Sequence, residues 1–252
     1  MTASAPDRPA PTRRDRSRSA TVQEILVAAR RLLVSGGAAE ISVRVIARDL
    51  GLTAAALYRY FPSLDAIVTA LAINLYDELR AQLEQARDAG PGHDPAGQVT
   101  RMAWRFRNWA LAHPAEFGLL FGNPVPGVQA IERDCDGDAD HAGKRFGQLV
   151  LACFAELWRC GGGHPTGDDS VGALLTPYRE TYGDGLPDQA VYTFLSAWTR
   201  LYGIVAMEVF GHLSWAMTDL RPMFERELTQ LIAAATTPRL DTAAARTRLR
   251  TR

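Results

Sequence analysis

Residues 41–61 read Ile41-Ser42-Val43-Arg44-Val45-Ile46-Ala47-Arg48-Asp49-Leu50-Gly51-Leu52-Thr53-Ala54-Ala55-Ala56-Leu57-Tyr58-Arg59-Tyr60-Phe61, and the spacing within them decides the fold. Ser42 can cap a helix in which Val43, Ile46, Ala47 and Leu50 share one face until Gly51 stops it. Thr53 can cap the next helix, which passes through three successive alanines before Pro62 disfavours helical geometry at Phe61. Upstream, Val22, Ile25, Leu26, Ala29, Leu32 and Leu33 form the apolar face of a helix that starts near Thr21 and ends at Gly36-Gly37. The expected result is three short helices in forty residues.

Two short helices joined by a glycine-containing turn make a helix-turn-helix, whose first helix braces the second in the DNA major groove. The alanines keep such a helix thin and strongly helical, so its backbone can approach the duplex while a methyl touches thymine. Tyrosine hydroxyls can donate to phosphates, and an arginine can read guanine through two hydrogen bonds or pair with phosphate. Charge follows the same division. Residues 1–60 carry ten arginines against five acidic residues, a net of +5, whereas residues 61–252 carry −5, although the whole chain sums to zero. A basic head on an acidic body fits a polyanion-binding unit attached to one that binds something else. A helix pair inside an ordinary α-helical bundle is the alternative reading of the same spacing.

The stretch Ile41–Phe61 resembles the DNA-binding signature of TetR-family transcriptional regulators, and the resemblance covers about residues 20–70. It implies an all-α homodimeric repressor: a three-helix head joined by a long fourth helix to a helical ligand-binding and dimerisation body. Residues 1–19 are then a disordered basic arm, 20–66 the DNA-binding head, 67–236 the body and 237–252 a disordered basic tail. Carried over by position, Ser42, Arg44 and Thr53 sit at helix starts against DNA, with Ala54, Ala55, Tyr58, Arg59 and Tyr60 on the recognition helix. Arg44 and Arg59 are the base-reading candidates. The chain departs from the family at Leu64, where a lysine is usual. Arg13, Arg14, Arg16 and Arg18 could compensate from the arm by entering the minor groove.

From Ser63 to about Arg87 runs one amphipathic pattern, joining head to body without a flexible linker. A second helical pattern covers Val99–His113 and a third begins at Pro114. The segment Trp109–Phe121 resembles the body of a TetR-family branch named for a Trp-His-Gly motif. Tyr202 stands where that branch carries a histidine, so the histidine's role does not transfer. The apolar stripe with Trp198, Tyr202, Val205 and Val209, together with Phe224 and Leu228, suits a four-helix dimer interface; a buried helix within one subunit is the alternative. Trp104, Phe117, Phe121, Phe154, Trp158 and Tyr178 are candidates to line an effector pocket, although most aromatics at helical spacing simply fill a core.

Three cysteines without CxxC spacing and no hydrophobic leader argue against a secreted disulfide framework, and the cytoplasm is expected. Asp134, Asp136 and Asp138 mimic a calcium loop, but Ala139 replaces its glycine and Arg145 its closing glutamate, so a solvated turn is expected and no metal or cofactor. No GxSxG, HExxH, GxxxxGKS/T or GxGxxG pattern occurs, and no catalytic residues are expected. The expected partners are a palindromic double-stranded DNA operator, a small, largely apolar effector and a second copy of the chain. A helical carrier or enzyme without sequence-specific DNA binding is the alternative.

Overall fold

A computed structural model describes residues 12–122, 142–161, 169–183 and 185–236; among them every regular element is helical. Helix α1 spans Arg13–Gly36, α2 Val43–Asp49, α3 Ala54–Tyr58 and α4 Leu64–Asp88. Helices α5 Pro95–Ala112, α6 Pro114–Phe121, α7 Ala142–Cys160, α8 Thr176–Tyr182, α9 Asp188–Val209 and α10 Arg221–Thr236 build the body.

The head closes around Ile25, Ala29 and Leu33 of α1, Ile46 and Ala47 of α2, and Leu57, Phe61 and Ile67, all buried. The expected caps are present. Ser42 accepts from the Val45 amide at 3.3 Å, Thr53 from Ala56 at 3.1 Å and Ser63 from Ala66 at 3.1 Å. Gly51, at φ 65°, ends α2 with the Leu52 amide on the Ala47 carbonyl and its own amide on Arg48, the two bonds of a Schellman motif.

Two boundaries differ from the sequence reading: α3 stops at Tyr58, with Arg59 as its C-cap and Tyr60 beyond it rather than on the helix, and α1 starts earlier than expected. The segment 13–19, expected to belong to a disordered arm, forms the first two turns of α1. Thr12 and Asp15 make a reciprocal capping box there, which satisfies amides that an unstructured arm would leave to water. Arg18 consequently lies over the Tyr60 ring at 5.6 Å, on the head's own surface. Residues 1–11, the 134–141 loop and the 237–252 tail lie outside the described residues.

Helix α4 carries the head into the body. Its 25 residues span about 37 Å, and Leu71, Leu75, Leu79 and Leu83 are buried along it. It packs on α1 at one end and on α5 and α7 at the other. Arg30 of α1 binds both Glu78 of α4, at 2.7 Å, and the buried Glu116 of α6, at 3.1 Å. This network fixes the head against two body helices. Deeper in the body, Arg107 of α5 is buried and forks onto Glu208 of α9, with its Nε 2.8 Å from one carboxylate oxygen and a terminal nitrogen on the other. The guanidinium also lies over Trp104 and Phe224. No helix among the described residues is long and apolar enough to cross a membrane.

Candidate functional site

The residues singled out for DNA contact cluster on the outer side of the head. Arg44, Thr53, Ala55, Tyr58 and Arg59 are exposed, while Ser42, Ala54 and Tyr60 are half-buried. Tyr58 is 51 % exposed, although a tyrosine of this size would ordinarily be drawn into a core. The Ser42 and Thr53 hydroxyl oxygens each accept an amide at a helix start, which leaves their protons free to donate outward. Tyr60 is held differently. Its ring packs on the core and is covered by Arg18, whose guanidinium also donates to the Arg59 carbonyl at 3.5 Å. Leu64, where a lysine was expected from the family pattern, is half-buried against the core at the first position of α4.

Inside the body lies an apolar cavity of about 70 Å³, with walls from Leu83 of α4, Val99, Met102 and Phe106 of α5, Cys153 and Phe154 of α7, and Trp198 and Tyr202 of α9. A neighbouring cleft of about 350 Å³ shares Phe146, Val150, Phe194 and Trp198 with it, and adds Tyr76, Phe121, Lys144, Tyr178 and Tyr182. Joined, the two spaces reach the lower end of the size range of small-molecule sites, about 300–1,000 Å³. The cleft carries Lys144, Tyr178 and Tyr182, and burial pushes the Tyr178 phenol up from its ordinary range; on the cavity wall the Tyr202 hydroxyl donates to the Phe121 carbonyl at 2.5 Å. Burial likewise raises the Cys153 thiol to about 11, so it stays protonated at neutral pH.

The six aromatics expected to line a pocket divide. Phe154 faces the cavity, and Phe121 and Tyr178 face the cleft. Trp104, Phe117 and Trp158 line neither. Trp104 stacks edge-on against Phe224 at 5.1 Å, Phe117 is fully buried among Phe106, Phe121 and Tyr202, and Trp158 packs beside Phe154. The residues expected at a dimer interface also divide. Val205, Phe224 and Leu228 are buried within the single chain and bring no apolar surface to an interface, while Trp198 and Tyr202 are cavity walls and Val209 is half-buried. The physical reason is that α9 crosses α5, α7 and α10 of its own subunit, which consumes its most apolar face. Tyr192, Leu195 and Met207 on α9 remain exposed in the single chain.

Two family descriptions match the chain: the N-terminal pattern of "Bacterial regulatory proteins, tetR family" over residues 25–71, and "Tetracyclin repressor-like, C-terminal domain" over residues 99–231. The chain is 31% identical over 231 residues to HTH-type transcriptional regulator Mb1846 of Mycobacterium bovis, an alignment covering 88% of this chain and 94% of that protein. The same figures hold for HTH-type transcriptional regulator Rv1816 of Mycobacterium tuberculosis. Among solved structures, regulatory protein SCO4313 superposes with a TM-score of 0.65 at 29% identity, covering 87% of this chain and 98% of that one. A Rhodococcus sp. RHA1 protein of unknown function shares the fold, with a TM-score of 0.56 at 21% identity over 86% of this chain and 95% of that one. Matched in head and body alike, and along nearly the whole length of its curated relatives, the chain belongs to the TetR family of bacterial transcriptional regulators, DNA-binding proteins rather than enzymes.

Proposed function

We propose that the protein is a homodimeric repressor that leaves a palindromic operator when a small, largely apolar ligand enters the body cavity. The observation that carries this reading is the continuity of α4, which presents Leu83 to the cavity and is tied at Glu78 to Arg30 of the head. Filling a cavity of about 70 Å³ requires its walls to separate, and α4 is one of those walls. A small rotation of α4 changes the separation of the two recognition helices in a dimer. That separation has to match half-sites one helical turn of DNA, about 34 Å, or a multiple apart.

The effector that fits is aromatic or aliphatic for most of its surface, with one polar end reaching Tyr178, Tyr182 and Lys144 in the cleft. In the head, Arg44 and Arg59 read bases, Ala54 and Ala55 let the backbone approach, and Ser42, Thr53 and Tyr58 hold phosphates. The dimer uses the exposed side of α9 and α10, where Tyr192, Leu195, Met207 and Met223 are solvent-facing in the single chain. Selection of bound fragments from genomic DNA by the purified protein tests the reading. Enrichment of a two-fold symmetric sequence whose occupancy falls on addition of apolar ligands is the expected result. Fragments retained without any shared sequence would point to the carrier alternative.

A further inference from the structure

At the far end of the body from the head, three side chains of different chemistry converge. Glu156 and Cys160 stand one turn apart at the end of α7, and His93 reaches them from the residue before Asp94, the N-cap of α5. His93 Nε2 lies 3.1 Å from Glu156 Oε1 and 3.8 Å from Cys160 Sγ, and Cys160 Sγ lies 3.5 Å from the same carboxylate oxygen. We propose that His93, Glu156 and Cys160 form a binding site for one thiophilic divalent cation, with zinc the best fit.

The triangle has the dimensions of three corners of a zinc tetrahedron. Bonds of about 2.3 Å to sulfur, about 2.05 Å to imidazole nitrogen and about 2.1 Å to carboxylate oxygen place nitrogen and oxygen about 3.4 Å apart, and sulfur about 3.6 Å from each. The edges at hand differ from these by 0.3 Å or less, within the freedom of surface side chains. The donor set selects the ion. A thiol and an imidazole disfavour calcium and magnesium, which take oxygen ligands, and favour zinc, cobalt or cadmium. The second oxygen of Glu156 is engaged by Arg159, which leaves Oε1 turned to the centre, as an outer partner does at established metal sites.

Position gives the site a consequence. The ion would join the start of α5 to the end of α7, and both helices furnish walls of the apolar cavity. Bridging the two helices restricts how far those walls can part.

Spectroscopic titration of the reduced, chelator-stripped full-length protein with Co2+ is the test. The expected result is a thiolate-to-cobalt charge-transfer band that saturates at one equivalent per chain and is displaced by Zn2+. The band disappears in Cys160→Ser, weakens with about a tenfold or greater loss of affinity in His93→Ala, and persists in Cys135→Ser and Cys153→Ser. Because Cys160 and His93 are exposed, these variants keep the core intact. As a second readout, Zn2+ raises the melting temperature of the wild type and not that of His93→Ala. Absence of the band at saturating Co2+, or its survival unchanged in Cys160→Ser, overturns the proposal.

Discussion

Gly51 occupies the left-handed turn between the two DNA-facing helices, at φ 65° with nothing within 4 Å of where a Cβ would stand. An alanine there meets no clash, so its cost is backbone strain alone, about 1–2 kcal/mol. Gly51→Ala should lower stability by that amount, as denaturant unfolding followed by circular dichroism would register. Cys153 invites a chemical measurement. Its thiol, raised to about 11 by burial, should resist alkylation at pH 8 while the exposed Cys160 reacts, as peptide mapping would show. The sign of its pH dependence follows. Between pH 9 and 11 the unfolded chain loses this proton before the folded chain does, so the stability contribution present below pH 9 is lost across that window. The slope of unfolding free energy against pH should therefore be steeper in the wild type than in Cys153→Ala.

At the scale of elements, the pair joining α5 to α9 is the most exposed to damage by a single change. Arg107 is 4% exposed, and removing Glu208 leaves a buried guanidinium with only the exposed Asp219 carboxylate, 4.0 Å away, as counter-charge. Glu208→Ala should cost about 3 kcal/mol, measured by urea unfolding, whereas a change at an exposed pair such as Arg87 with Asp88 should have little effect. The helices of the head were legible from local signals, since Ser42, Thr53, Ser63 and Gly51 determine their own ends within four residues. The start of α1 was missed because Arg13–Ser19 has no apolar period, although Thr12 and Asp15 carry the capping signal. Cavity and core were not separable in the sequence. Whether Trp198 faces its own subunit or a second one depends on where α5 and α7 pack, and no local pattern encodes that. His93 and Cys160 are far apart in the chain, and their meeting rests on the same tertiary arrangement.

On the scale of the whole molecule, α4 joins a head that exposes Arg44 and Arg59 to a body whose aromatics enclose an apolar space. Dimerisation through the exposed side of α9 predicts that Met207→Arg or Tyr192→Arg gives a monomer by light scattering, since a charge placed in an apolar contact is costly to desolvate. Dimers that survive both changes would place the contact elsewhere, and a monomeric wild type would overturn the homodimer. If Arg59, at the C-cap of α3, reads a base, an anisotropy titration of wild type and Arg59→Ala against the selected operator and a scrambled duplex at one stated salt concentration gives a loss of about 1–3 kcal/mol on the operator and a much smaller loss on the scrambled duplex. Equal losses on both duplexes, or no loss on either, would contradict base reading by Arg59.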